Sequence, residues 1–420
     1  MGSTTINAND DRKKTIYDKV LVFFLFLFNF PDFLNNCFSD IRTIPLHKFF
    51  ACMFYSLVRI FPLHLRYEIE HQIVTSTTKI IFTRSKRTHE KICFKIRLPY
   101  KNEVYNTFSL TRRNNQLVES LLFHDTFAPG IHLGIASIKY GRNPKEILRG
   151  GLIKINNLNR DSIKKGMQYV LVMKYLEEEW SLDYQLRQGI FDTKEDMNFL
   201  AEQVAAMHKD LRLSPDVLRF GAPDSIAAKL QLNKRCFDIA LRKLSGIPME
   251  HYKCITTVLE QSCKNNVEHF VQRQKEGCIK RCHGDLKAAN IWIRPEGLSS
   301  LAQVVHRQML ALDCIDFNPA LCHIDTLSDV ALLAIDVELW LEKTSRQNGW
   351  SATTYFLNSY LREVGEQDNV WPLLEYYMTE KCMVMAYVAI IYNDNATLSK
   401  RYLDLALAHT RKLERLALHV

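Results

Sequence analysis

Glycine is scarce in this chain, at 15 of 420 residues. No Gly-x-x-x-x-Gly-Lys occurs, which excludes a P-loop nucleotide site within these residues. The 11 cysteines contain no Cys-x-x-Cys, and Cys278 and Cys282 lack partners at zinc spacing. Their odd count and scattered placement suit free thiols in a reducing compartment, so a cytoplasmic location is expected. Cys93, Cys314 and Cys382 sit in apolar runs and read as small buried hydrophobes. No aromatic-interleaved basic stripe is present, so nucleic acid is not expected as a partner. There is no internal repeat and no low-complexity tract. The apolar run at 20–28 is too short for a membrane span. Acidic residues flank it and no small-x-small site follows, which speaks against a secretory signal.

What remains is a chain rich enough in apolar residues, 47%, to bury a large core. Its length suits two or three domains or one large bilobal enzyme. The net charge of +9 suits an anionic ligand such as a nucleotide, although the charges are well mixed. Residues 1–66 form an apolar, helical extension, and 20–63 are a candidate for peripheral membrane or protein contact. From residue 67 the pattern changes to period two, predicting strands over 68–74, 78–83 and 91–99. A helix over 114–127 follows, then strands at 133–138 and 168–176, separated by a long polar excursion over 139–165. Beyond that the pattern is helical. Thr193 and Asp196 fit a capping box, and the helix they open buries Met197, Leu200, Val204, Met207 and Leu211, with His208 beside them as a structural residue. Helices over 225–274 carry a break at 246–248. A strand is expected at 309–317, and an apolar helix opens at Ser328 and Asp329.

The chemistry concentrates in residues 282–293, where His283, Asp285, Lys287 and Asn290 keep the spacing of a kinase catalytic loop. Asp285 at the apex would accept a proton from an attacking hydroxyl. Lys287 would offset charge on the phosphoryl group in transit. Asn290 would turn its amide oxygen toward magnesium, with Asp316 as second ligand and Asp313 as the rival carboxylate. Upstream, Lys95 ends an apolar triplet on a strand, and Glu119 lies on the helix that follows. In a kinase such a pair holds nucleotide phosphates. Lys91 alternates onto the same strand face and is the fallback for Lys95.

Taken together, these segments resemble the aminoglycoside phosphotransferase and choline kinase-like superfamily. The motifs that carry the resemblance are His283 to Asn290 and Ile315 to Phe317. The chain is most similar to an uncharacterised bacterial branch in which the kinase-like domain is often fused to a P-loop ATPase; segments at 95–99, 128–134, 200–208 and 313–336 carry that likeness. The resemblance spans roughly residues 67–395. It implies an α+β, bilobal protein kinase-like fold, with a small antiparallel-sheet lobe over 67–178 and a mainly helical lobe over 179–420. It implies ATP and Mg2+ as cofactors, Asp285 as base, Asn290 and Asp316 on the metal, and Lys95 with Glu119 on the phosphates. The backbone of Met173, Lys174, Tyr175 and Leu176 would contact adenine. Two departures stand out: Lys287 where this superfamily often has His, and residues 75–78 where a glycine loop would be.

The expectation is an ATP-dependent kinase that moves the gamma phosphate to a hydroxyl of a small molecule. A protein kinase and a non-catalytic nucleotide-binding pseudokinase are the alternatives. The acceptor pocket is expected from helices over 225–275 and 345–395; acidic residues such as Glu338, Glu375 and Glu380 read as solvated helix faces.

Overall fold

The computed structural model describes residues 67–102, 104–138, 152–158, 163–164, 166–242, 249–298 and 305–417. The chain divides into two units, Met1–Phe61 and Pro62–Val420, and every described residue belongs to the second. The expectations for residues 1–66, for most of the 139–165 excursion and for the break at 246–248 lie outside the described residues.

Alternation builds the first lobe. β1 (Tyr67–Val74), β2 (Thr78–Ser85) and β3 (Lys91–Arg97) pair as an antiparallel meander. A tight turn over 75–78 joins the first two, closed by Thr75 N donating to Thr78 O at 2.8 Å. β3 stops at Arg97, two residues short of Pro99, which has no N–H for a ladder. Helix α1 (Leu110–Phe127) begins a turn before the apolar periodicity does, because Ser109 caps it by accepting from Arg112 N at 3.2 Å. β4 (His132–Ile138), β5 (Ile153–Lys154) and β6 (Gln168–Lys174) complete a six-stranded antiparallel sheet in the order β1-β2-β3-β6-β4-β5.

Register decides which β3 side chains reach the cleft. Phe94 pairs with Val172 and faces one apolar cluster with Ile81, Ile96, Ala136 and Val170. Lys95 pairs with Leu171, and Leu171 packs with Leu117, Val118 and Leu121 of α1 on the other face. Lys91, Cys93, Lys95 and Arg97 therefore share the face that carries α1, since successive strand residues alternate.

After β6 the chain is helical: α2 (Leu182–Gln188), α3 (Lys194–Asp210), α4 (Pro215–Leu218), α5 (Pro223–Leu241), α6 (Met249–Asn265) and α7 (Val267–Lys275). The Thr193–Asp196 capping box of α3 is present in both directions. Next come β7 (Ile279–Arg281) and the hairpin β8 (Ile291–Leu298) and β9 (Val305–Ala311). A short α8 (Pro319–Cys322) leads to β10 (His323–Asp325), which pairs with β7. Four long helices close the fold: α9 (Thr326–Gln347), α10 (Ala352–Val364), α11 (Trp371–Ile391) and α12 (Ala396–Ala417).

This is the expected α+β, two-lobed kinase-like architecture, with one helix on a small antiparallel sheet and a mainly helical second lobe. Ala128 and Ile131, just after α1, pack on Leu310 of β9 and Leu312 beyond it, with Met173, Leu176 and Trp292 around them, so the lobes meet beside the hairpin. One strand differs from expectation. The run over 309–317 leaves the ladder at Ala311, because Asp313 holds a φ of 62°, which no strand accommodates. Among the described residues no helix is long and apolar enough to cross a membrane.

Candidate active site

The loop over 282–293 hangs between β7 and β8 and is tied down from below by α9. Asp329 accepts from His283 N at 3.1 Å and from Gly284 N at 2.9 Å, and Asp336 accepts from Ala288 N at 2.8 Å. Gly284 has a φ of 82°, and a Cβ there would stand 2.7 Å from Leu321 O, so glycine is required. His283 is buried; Nε2 donates to Leu312 O at 2.9 Å while Nδ1 accepts from Asp285 N at 3.3 Å. Those partners fix a neutral imidazole, and burial lowers its pKa accordingly.

So braced, the loop presents Asp285 at 29% side-chain exposure. Its Oδ2 accepts from Lys287 Nζ at 2.7 Å and from Asn290 Nδ2 at 2.9 Å. Asn290 Nδ2 also donates to Asp285 O at 2.9 Å, which fixes the amide orientation and turns its Oδ1 away as an acceptor. Burial works to lower the Lys287 pKa, but the Asp285 carboxylate outweighs it and the pKa is raised.

Facing the loop is the exit of β9. Leu312 N donates to Asn290 O at 2.8 Å and Ile315 N to His283 O at 2.9 Å, so loop and exit are one unit. The two carboxylates of the exit have different surroundings. Asp313, with 47% of its side chain exposed, ion-pairs with Lys95. Partial burial opposes that pairing, but Lys95 prevails and holds the carboxyl at about 2. Asp316 is only 5% exposed; Arg97 ion-pairs with it and His124 Nε2 lies 3.4 Å away. Burial would raise its carboxyl, but Arg97 and His124 push it well below the usual range.

The remaining expected residues are dispersed along the cleft. Lys95 takes Asp313 as its partner, where the resemblance implied Glu119; Glu119 lies exposed on α1. The α1 residue facing the buried strand cation is Ser120, whose Oγ accepts from Arg97 Nη2 at 3.4 Å. Lys91 Nζ donates to Glu177 at 2.9 Å and lies 4.6 Å from the centre of the Tyr175 ring. In the connection between the lobes, Lys174 N donates to Ile131 O at 2.9 Å and Tyr175 N to Lys91 O at 3.3 Å. Met173 lies within β6, paired with Cys93 and His132, and Leu176 packs against the junction cluster.

Sequence reading alone missed three participants. Asp329 and Asp336 look like helix residues and turn out to hold the loop. Arg97 shares a face with Lys95, and two-residue alternation was the signal for it. His208 is structural as expected, with Nδ1 bonded to Tyr360 Oη at 2.7 Å and Nε2 to Asp329 at 3.2 Å. Glu375 and Glu380, expected on solvated faces, are buried: Glu375 meets His409, and Glu380 meets Asn233 and Lys229. Glu338 joins the His409 group.

The donor set suits a hard cation. Asn290 Oδ1 and the half-exposed Asp313 carboxylate lie on adjoining segments, and oxygen ligands of this kind are what magnesium takes. The cations on β3 suit phosphate oxygens.

No family model matches the chain. Over 122 residues, 29% of this chain, it is 30% identical to the uncharacterized protein Rv2004c of Mycobacterium tuberculosis and to the uncharacterized protein Mb2027c of Mycobacterium bovis. The match spans 21% of the length of those proteins. Among solved structures, the chain is similar to a Plasmodium vivax ethanolamine kinase, at 11% identity and a TM-score of 0.46, over 90% of this chain and 91% of that one. It is also similar to a choline kinase from Cryptosporidium parvum, at 12% identity and a TM-score of 0.46, over 88% of this chain and 96% of that one. Likeness at that level says nothing about activity.

Proposed function

We propose that this protein is an ATP-dependent phosphotransferase acting on a hydroxyl of a small molecule. The observation that carries the reading is the loop hub, in which Asp285 holds Lys287 and Asn290, and Asn290 O accepts from Leu312 N, the residue before the half-exposed Asp313. Phosphoryl transfer asks the protein for position and charge rather than covalent chemistry. Asp285 takes the proton of the acceptor hydroxyl as its oxygen bonds to the gamma phosphorus, while the bond from that phosphorus to the bridging oxygen breaks and ADP leaves with the electron pair. The Lys287 ammonium, bonded to Asp285 Oδ2 at 2.7 Å, holds that carboxylate in place and offsets charge beside it. Asn290 and Asp313 would hold magnesium, which when bound neutralises phosphate oxygens. Asp313 is preferred to Asp316 in that role because it is half exposed and has Lys95 alone as partner, whereas Asp316 is buried between Arg97 and His124. Lys95, and Arg97 behind it, face the phosphates.

The test is a phosphotransfer screen over a metabolite library, with Asp285→Ala as control. Transfer falls by at least about a thousandfold in that variant, while the thermal shift with Mg-ATP remains. Full transfer by Asp285→Ala removes Asp285 from the mechanism. A non-catalytic nucleotide binder is the second reading, favoured by the tight threonine turn over 75–78 in place of a glycine loop. It predicts a Mg-ATP shift with no transfer to any acceptor.

A further inference from the structure

Two neighbouring side chains on the strands that flank the catalytic loop keep polar atoms without a partner. Arg281 ends β7 and stands opposite His323, the first residue of β10, in antiparallel register. Residues paired in this way carry their side chains next to each other on one face of the ladder. Arg281 Nε and His323 Nδ1 are both buried with no hydrogen-bond partner. Among the described residues the Arg281 side chain has no carboxylate either, whereas Arg97, Arg273 and Arg307 each have one. Aromatic rings wall the place on two sides. Phe123 of α1 lies under the Arg281 guanidinium, with 3.8 Å from its carbon to the ring centre. Phe220, in the turn after α4, meets the His323 ring edge-on at 4.8 Å, and the exposed Arg219 guanidinium lies 5.1 Å from the same ring. Gly221 of that turn abuts the same strand face: a Cβ there would stand 2.3 Å from the side chain of Ile279, which points the same way as Arg281 two residues on. Burial first, then Arg281 and Arg219, lower the His323 pKa, as expected where positive charge is in surplus.

A guanidinium stacked on an aromatic ring keeps its in-plane fork of N–H groups free, and that fork matches two oxygens of a phosphate. We propose that the face of β7 and β10 between α1 and the 219–221 turn binds a phosphate dianion, free or carried as a monoester by a small metabolite. Arg281 supplies the fork, His323 stands beside it and Arg219 lies at the rim. The site uses none of the residues assigned to nucleotide, metal or proton transfer, so it does not depend on the phosphotransferase reading. The β3 cations facing the cleft are ion-paired with Asp313 and Asp316, while Arg281 is not. The position bears on the cleft nonetheless. Arg281 runs through Cys282 into His283, and Phe123 adjoins His124, which lies 3.4 Å from Asp316. An occupant therefore touches both the strand that leads into the catalytic loop and the helix that packs on the β9 exit.

The experiment is a thermal-shift titration of the full chain with inorganic phosphate, with glycerol 3-phosphate, and with chloride at matched ionic strength. Wild type, Arg281→Gln, Arg219→Gln and Lys95→Met are compared. Either phosphate raises the melting temperature of wild type beyond chloride. The concentration giving half of that shift rises at least about tenfold in Arg281→Gln and about threefold in Arg219→Gln, and stays put in Lys95→Met. Arg219 is exposed, so its variant folds and decides the matter even where Arg281→Gln does not. Glycerol 3-phosphate acting at the lower concentration assigns the site to a phosphorylated metabolite; phosphate acting at the lower concentration assigns it to the free ion. The proposal is overturned if neither phosphate does more than chloride, if Lys95→Met removes the response, or if both arginine variants keep it. In that last case Arg281 only pins α1 to the second lobe through Phe123. An Arg281-dependent response in a protein that transfers phosphate to no acceptor would sink the phosphotransferase reading and leave this site standing.

Discussion

Asp313 and Asp316 sit in one short segment, and their surroundings predict opposite phenotypes. Asp316 is a buried half of an ion pair with Arg97. Removing one partner of such a pair strands the other charge, at a cost of about 3–5 kcal/mol. Asp316→Asn should therefore lower the urea midpoint sharply, yet leave the magnesium dependence of the nucleotide thermal shift in place. Asp313 is half exposed, so Asp313→Asn should change stability by no more than about 1 kcal/mol. It should nevertheless abolish the difference between ATP shifts measured with and without magnesium. The reverse pattern would return the metal role to Asp316. Gly284 offers a second test at this scale. Gly284→Ala forces a Cβ toward Leu321 O at a left-handed φ. A loss of about 1–3 kcal/mol in denaturant melts is expected, with transfer lost as the Asp285 apex shifts. Unchanged melts would mean that the loop relaxes freely.

At the level of elements, what was readable in the sequence was local. The capping box of α3 needs only Thr193 and Asp196 in register, and both bonds form, with Asp196 also pairing to Arg307 of β9. Thr193→Ala should cost about 1 kcal/mol in equilibrium unfolding; no measurable change would deny the cap any role. The strands were likewise legible from alternation, and the loop from its spacing. What failed was pairing through space. Lys95 and Glu119 look like partners on adjacent elements, but β3 sends three cations down one face, where Lys95 and Arg97 meet the carboxylates of the β9 exit and Lys91 meets Glu177. The 309–317 strand failed for a related reason: alternation continues past Ala311, while the backbone turns at Asp313. No pattern in one chain shows a left-handed aspartate.

Across the whole described unit, charge is buried where helices converge, and this gives a prediction that needs no ligand. His409 of α12 is 0% exposed and lies between Glu338 of α9, 2.9 Å from Nε2, and Glu375 of α11, 2.5 Å from Nδ1. Burial alone would lower its pKa, but the two carboxylates raise it to about 9 from the ordinary 6.5. A group whose folded pKa is raised binds protons more tightly in the native state. Its stabilisation is complete below 6.5 and is lost as pH climbs through 9. Lys381 has the opposite sign, since its lowered pKa of about 8 adds stability as pH rises beyond that value. Between pH 6.5 and 8, then, the slope belongs mainly to His409, at up to about 1.4 kcal/mol per pH unit. Wild type should lose stability across that interval, and His409→Gln, less stable at pH 6.5 because Glu338 and Glu375 then face each other with Lys412 alone, should show a much flatter profile. Urea melts at closely spaced pH values measure both slopes. Parallel profiles would mean that the proton on His409 does not hold α9, α11 and α12 together.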